Sequence, residues 1–317
     1  MIESSARNAH HSETITDESA SQATVKIMEA PADTMTDDPP VPNTARIGRA
    51  ALNVADLEAM VEFYRDVVGL AVRTRTETTA TLGTDDAALL VLEENEDAPP
   101  RQRDEAGLFH TAFRVPTREA LGAAFDRLRD RWTLTGASDH YVSEALYCRD
   151  PEDNGVEIYW DKPRTEWPRN DDGTIAIGTV PLELDEVAAA SNGAASAPPE
   201  TSIGHVHLEV SSLPATRAFY GETLGLRVQT AMESALFLAA GDYHHHLGVN
   251  TWNERTQPAT NRHRGVAWFE FSLPNPATVE AVRHRLAETD RSVTELDSED
   301  GIAVADPDGI TVRFRSR

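Results

Sequence analysis

A chain of 317 residues is long enough for two ordinary domains, each burying its own core. Its 29 Lys and Arg against 53 Asp and Glu give a formal charge of −24, which argues against nucleic acid or an anionic membrane as a partner. The single cysteine, Cys148, excludes an intrachain disulfide and points to a reducing, cytoplasmic setting, with the thiol serving as a small buried hydrophobe.

Only Lys26 and Lys162 are lysines. An acidic, lysine-poor surface stays hydrated when salt screens its charges, so it reads as a halophilic solvent adaptation and not as a binding signal. No apolar run reaches the length of a membrane span, and the N-terminal residues lack a signal-peptide core.

Residues 1–45 are rich in Ser, Thr, Asp, Glu, Ala and Pro without apolar periodicity, and are expected to form a disordered acidic tail. From residue 46 the pattern becomes regular. RAALNV alternates as a half-buried strand does, and Leu57, Met60, Val61 and Tyr64 follow with the spacing of an amphipathic helix before short β-prone runs. Residues 108–160 repeat the plan: strand FHTAFRV, helix REALGAAFDRLRDR, then EALYCRDP and GVEIYW around the turn signal PEDNG. The stretch 164–202, ending in EVAAASNGAASAPPETS, is expected to be a linker. Residues 203–252 and 265–316 show the strand–helix–strands plan twice more.

The two halves are copies. LNVADLEAMVEFYRDVVGL (52–70) matches LEVSSLPATRAFYGETLGL (208–226), and RDPEDNGVEIYW (149–160) matches ADPDGITVRFRS (305–316), both at an offset of 156. The chain therefore reads as an α+β protein of four βαβββ modules. A first domain is expected over 46–163 (modules 1 and 2) and a second over 203–317 (modules 3 and 4).

Strand parity sorts the polar residues. In FHTAFRV, Phe109, Thr111, Phe113 and Val115 form the packed face, leaving His110, Ala112 and Arg114 opposite. In GHVHLEV, His205, His207 and Glu209 lie opposite Val206, Leu208 and Val210; in GVEIYW, Glu157 and Tyr159 lie opposite Val156 and Ile158. In GDYHHHLGVNTW the same rule puts His245 with the packed Leu247 and Val249, and places His244 and His246 beside Gly248 and Asn250 on the open face. Two histidines and a glutamate on open strand faces have the composition of a facial triad, which suits non-haem Fe(II), although strand histidines also serve structural roles. The repeat supplies a control. His205 corresponds to Arg49 and Glu157 to Arg313, and a slightly different offset puts Trp268 opposite His110. One copy has the ligand set and the other does not, as a single metal centre would require.

The four modules resemble the vicinal oxygen chelate superfamily. The segments GLFHTAFRVP, GASDHYVSEALYCRDPEDNGVEIYWDKP, IGHVHLEVSSL and GDYHHHLGVNTW resemble its extradiol catechol 2,3-dioxygenases. The resemblance covers residues 46–317. It implies open β-barrel-like domains, Fe(II) (or Mn(II)) held by His110, Glu157 and His205, and cleavage of a catechol by O2 beside one hydroxyl. It further implies His246 as the acid–base histidine, with Tyr147 and His140 hydrogen-bonding the substrate. His207 competes with His205 for the ligand position, and His207, His244 and Asn250 are expected in the substrate pocket. The better-known members draw their ligands from modules 3 and 4. Here module 2 supplies two ligands and module 3 one, so modules 2 and 3 must meet around the metal.

Two rivals share the scaffold. A glyoxalase-like isomerase or metal-dependent transferase would use a second carboxylate, which HHHLGVNTW lacks; a resistance protein that only sequesters a planar ligand would not need the spare histidines and tyrosine. The expected partners are a catechol and O2, with a homo-oligomer left open.

Overall fold

The computed structural model describes residues 39–296 and 301–317. Module 1 runs β1 (Arg46–Val54), α1 (Leu57–Phe63), β2 (Ala71–Arg75), β3 (Thr79–Gly83) and β4 (Ala88–Glu94). Module 2 is β5 (Gly107–Val115), α2 (Arg118–Arg131), β6 (Gly136–Asp139), β7 (Ser143–Arg149) and β8 (Gly155–Asp161), followed by β9 (Val180–Pro181) and α3 (Leu184–Ala190). Module 3 comprises β10 (Ser202–Glu209), α4 (Leu213–Thr216), β11 (Arg227–Ala231), β12 (Ala235–Ala239) and β13 (Leu247–Asn250). Module 4 comprises β14 (Gly265–Leu273), α5 (Pro276–Ala287), β15 (Val293–Glu295), β16 (Gly301–Ala305) and β17 (Thr311–Ser316).

Local chemistry starts the helices where the apolar spacing begins. Asp56, Thr117, Ser212 and Asn275 each accept a hydrogen bond from the backbone three residues on, capping α1, α2, α4 and α5. Both α1 and α4 run on into a π-helical turn, Tyr64–Val68 and Arg217–Thr223.

The sheets cut across the sequence repeat. Module 2 joins module 3 through antiparallel β5 and β10 in a nine-stranded sheet, ordered β11-β12-β13-β10-β5-β8-β7-β6-β9. Module 1 joins module 4 through β1 and β14 in an eight-stranded sheet, ordered β15-β16-β17-β14-β1-β4-β3-β2. Modules 2 and 3 therefore do meet, and each sheet draws strands from both of the domains expected over 46–163 and 203–317. One apolar core joins the sheets, with Leu52, Tyr64, Phe113, Val206, Tyr220, Phe269 and Phe314 all fully buried in the protein.

Two equivalent clamps cross between the sheets. Tyr64 of module 1 donates to Asp150 of module 2 at 3.0 Å, and Tyr220 of module 3 donates to Asp306 of module 4 at 2.9 Å. Each aspartate also accepts two backbone N–H groups of its own turn, Glu152 and Asn154 in one case, Asp308 and Ile310 in the other. Burial pushes the carboxyls up, Asp150 to about 6 and Asp306 to about 7, against the pull of these hydrogen bonds.

Two expectations change. Of the tail expected over 1–45, residues 1–38 lie outside the described residues, and the remainder is packed: Val41 is buried and its N–H donates to Leu224. The expected linker at 164–202 is folded onto module 2. β9 pairs with β6, α3 packs on α2 so closely that a side chain at Gly122 would meet the Val187 carbonyl, and Trp167, Ile175 and Val187 are buried. Its Ala and Ser content lets backbones approach, which composition alone read as flexibility. Cys148 is a buried hydrophobe, its thiol pushed by burial to about 12. No helix among the described residues is long and apolar enough to cross a membrane.

Candidate metal centre and pocket

Three neighbouring strands of the nine-stranded sheet bring His110 (β5), Glu157 (β8) and His205 (β10) to one point. In register, Ala112 sits between Glu157 on one side and His205 on the other, which aims all three side chains to the same face. His110 Nε2 lies 2.9 Å from Glu157 Oε2, His205 Nε2 lies 3.1 Å from the same oxygen, and the two Nε2 atoms are 3.2 Å apart. All three residues are buried.

This triangle is what three ligands on one face of an octahedron require. Bonds of about 2.1 Å at right angles put donor atoms about 3.0 Å apart. A hydrogen-bonded cluster explains it less well. Both imidazoles would point an N–H at one carboxylate oxygen, and with their Nε2 atoms 3.2 Å apart they would also set donor against donor. Burial holds the His205 imidazole neutral, lowering it to about 4 although Glu157 pulls the other way. Burial opposes the charge on Glu157, but His205 and His110 outweigh it and hold the carboxyl well below its usual range. An imidazole held neutral at His205 and an ionised carboxylate at Glu157 are ligand forms a divalent cation takes. The residues present therefore fit such an ion.

The triad opens on a cavity of about 640 Å³. Beside it, on the next strand, Tyr147 of β7 pairs in register with Glu157 and bonds His140 Nε2 at 2.6 Å, and His140 Nδ1 bonds the Gly178 carbonyl at 2.8 Å. A carbonyl only accepts, so the His140 proton is on Nδ1 and Tyr147 donates to Nε2. Burial first, and then the charge of Glu157, push the Tyr147 phenol well above its usual value. The segment expected as linker thus builds the site: Gly178 orients His140, and Ile177 and Thr179 line the wall.

The three consecutive histidines are divided. His245 lines this cavity, its ring 4.1 Å from that of His205. His246, expected there as the acid–base residue, lies on a different cavity between the two sheets, beside Arg114, Tyr243 and Gly204, and its Nδ1 accepts from the Ala240 N–H at 3.1 Å. His244, expected in the pocket, is fully buried behind His245 and bonds Asp161 at 2.7 Å. Parity fails because residues 241–246 form turns and β13 begins only at Leu247. His207 lines the cavity but does not join the triad; Asn250, also expected on the wall, sits behind His207 and bonds its Nε2 at 3.1 Å.

Sequence reasoning missed Phe109, assigned to the packed face. β5 bulges against β10, since His207 pairs with His110 and Leu208 with Leu108, and the extra residue, Phe109, turns onto the cavity. Trp252, 47 % exposed, closes the same wall with its ring 5.3 Å from Phe109. A second bulge at Gly204 seats Tyr159 against His205, and a side chain at Gly204 would strike the Tyr159 hydroxyl. Asp161 follows Glu157 and Tyr159 at alternate positions of β8, so parity alone could have placed it with them.

The sequence matches the model of the Glyoxalase/Bleomycin resistance protein/Dioxygenase superfamily twice, over residues 46–158 and 202–314. It is 38% identical over 269 residues to a catechol-2,3-dioxygenase of Bacillus subtilis, covering 82% of this chain and 93% of that one. In fold it is similar to a provisionally named dioxygenase of Bacillus subtilis (TM-score 0.61, 14% identity, 89% of this chain and 86% of that one). Glyoxalase I of Zea mays is similar too (TM-score 0.53, 16% identity, 86% and 92%). The duplicated βαβββ modules and both family matches place this chain in the Glyoxalase/Bleomycin resistance protein/Dioxygenase superfamily.

Proposed function

We propose that the protein is an Fe(II)-dependent extradiol dioxygenase, opening the ring of catechol or a substituted catechol beside one hydroxyl with O2 to give a 2-hydroxymuconate-semialdehyde-type product. The observation that carries this reading is the triangle of His110, Glu157 and His205 donors at the floor of a cavity with aromatic walls. The 38% identity to a catechol-2,3-dioxygenase supports it.

His110, Glu157 and His205 would hold the ion; the one carboxylate charge offsets part of its two, and Mn(II) accepts the same ligands. When bound, Fe(II) supplies open positions for both substrate oxygens and for O2 and passes charge from ring to oxygen. His245, beside His205, takes a proton from a catechol hydroxyl and later returns it to the product side. From the wall opposite His245, Tyr147, its own proton committed to His140, accepts a hydrogen bond from the catechol hydroxyl that keeps its proton. Phe109, Phe237 and Trp252 flank the aromatic ring and exclude water. An isomerase or transferase of the glyoxalase type would need a second carboxylate, and Glu157 is the one acid among the described residues lining this cavity. We place the reaction in the cytoplasmic breakdown of aromatic compounds, with the −24 charge keeping the protein soluble in high salt.

The test is anaerobic loading with Fe(II), then catechol and air. A yellow ring-cleavage product is expected. Absence of colour with one metal ion per chain confirmed bound overturns the reading.

A further inference from the structure

Behind the cavity wall runs a buried chain of hydrogen bonds that the reaction as described does not use. His245 Nδ1 lies 2.8 Å from His244 Nδ1, and His244 Nε2 lies 2.7 Å from Asp161 Oδ1. Asp161 Oδ2 accepts from the Tyr243 hydroxyl at 2.9 Å and faces Arg114 Nη1 at 3.5 Å; the Tyr243 hydroxyl also meets that of Tyr159 at 2.7 Å. His244 has no solvent exposure, its ring packed 4.1 Å from Tyr243 and 5.2 Å from Trp167.

The direction of the hydrogen bonds follows from these partners. Burial disfavours a charge on Asp161, but His244 and then Arg114 hold its carboxyl below the usual range, and both oxygens face donors, so it accepts only. His244 Nε2 must therefore donate. Arg114 faces the same carboxylate, and with its proton on Nε2 for Asp161, His244 presents Nδ1 as an acceptor. The group 2.8 Å away, His245 Nδ1, must donate to it. One neutral ring has one proton, so Nε2 of His245 is bare; it is also the ring nitrogen with no partner among the described residues.

We propose that Asp161, acting through His244, is a positioning residue that fixes His245 in the tautomer with its proton on Nδ1 and its Nε2 lone pair open to the metal-site cavity. The catalytic consequence rests on the proposed role of His245 as proton acceptor; the tautomer itself does not. The three histidines then divide the work. His245 faces the substrate cavity, His244 sets its orientation, and His246 ties down the Ala240 backbone. A base needs its lone pair aimed at the proton it takes, and a neutral imidazole in the wrong tautomer is a donor there instead.

The experiment reads the tautomer directly. Full-length protein labelled with 15N-histidine, without added metal, is examined by long-range 1H–15N correlation. The expected spectrum shows His245 with a protonated Nδ1 and a bare Nε2. In Asp161→Asn, Tyr243 and Arg114 keep demanding an acceptor at Oδ2, so the amide oxygen takes that place and the NH2 faces His244. His244 then accepts at Nε2 and donates from Nδ1, and His245 must flip to the Nε2–H form. Tyr243→Phe leaves the Asp161–His244 pair in place and keeps the wild-type tautomer. In the Fe(II)-loaded enzyme, Asp161→Asn is expected to lower kcat about 10- to 100-fold, with KM changed less than about threefold and metal content unchanged. A proton on His245 Nε2 in the wild type, no flip in a folded Asp161→Asn, or a flip in Tyr243→Phe overturns the proposal. The spectrum needs no substrate, so the outcomes separate. The stated tautomer without catechol cleavage sinks the reaction alone, and cleavage with the other tautomer sinks this inference alone.

Discussion

The two sheets carry one scaffold and two uses of its open face. In the nine-stranded sheet His110, Glu157 and His205 converge with their donor atoms about 3 Å apart. At the equivalent places in the eight-stranded sheet stand Trp268, Arg313 and Arg49. There the Arg313 guanidinium lies 3.8 Å from the Trp268 ring centroid and that of Arg49 lies 5.6 Å from it. Glu270, in the register position of Ala112, pairs with Arg49 at 2.7 Å, and Trp268 Nε1 donates to Glu93 at 3.0 Å. One copy left a small alanine at the centre and kept room for an ion. The other filled the same space with an indole and charges that neutralise each other. The clamps Tyr64–Asp150 and Tyr220–Asp306, by contrast, are the same in both copies. Duplication preserved what holds the sheets together and released what faces the cleft.

The largest effect should separate the sheets outright. Glu157→Gln or His110→Ala is expected to reduce bound metal to below about a tenth of an ion per chain and abolish turnover, whereas Arg313→Ala leaves metal content at one; elemental analysis after desalting reads both. Next in size, His245→Ala should retain the metal and lose about 10²- to 10⁴-fold in kcat. His246→Ala, which faces the other cavity, should lose only stability, about 1 kcal/mol for the bond to Ala240, in a denaturant melt. If His246→Ala instead lost turnover with an intact melt, the division of the histidine run would be wrong.

Below the loss of turnover comes the pH dependence built into the clamps. Asp306, at about 7, and Asp150, at about 6, bind a proton in the folded protein that the unfolded chain releases near 3.8. Their contribution is fully present below pH 4 and fades as the pH rises through 6 to 7. Stability of Asp306→Asn measured by denaturant titration at pH 5 and pH 8 should therefore fall less over that interval than the wild type does, by on the order of 1–3 kcal/mol. An identical fall in both proteins would show that Asp306 does not hold the proton. The smallest expected change is in the filled cleft, where Arg313→Ala should cost about 1 kcal/mol through the lost cation–π contact, read as a shift in denaturation midpoint.

Much of this was legible in the sequence where the chain runs as paired strand. β5, β8 and β10 are held on both sides by neighbouring strands, so alternation placed His110, Glu157 and His205 together, and the 156-residue repeat announced four modules. Legibility ended where geometry departs from regular alternation. Residues 241–246 turn, so parity exchanged His245 and His246; the bulge at Phe109 put two successive residues of β5 on one cavity. The role of Gly178 was beyond local pattern altogether. Its carbonyl reaches His140 across 38 residues, and no spacing rule carries that distance. The module pairing was reachable by ligand counting alone, because two ligands in module 2 and one in module 3 can share an ion only if those modules touch.

That exchanged pairing has a consequence for how the protein is made. β1 lies against β14, more than two hundred residues later in the chain, so this strand waits for that much further synthesis before its partner exists. The ligand set is likewise incomplete until β10 has been made and docked on β5. Such long-range pairings slow folding and leave strand edges uncovered in the meantime. On a ribosome the candidate metal site is thus among the later features to form, and a chain broken off in the segment between modules 2 and 3 would carry two of the three candidate ligands.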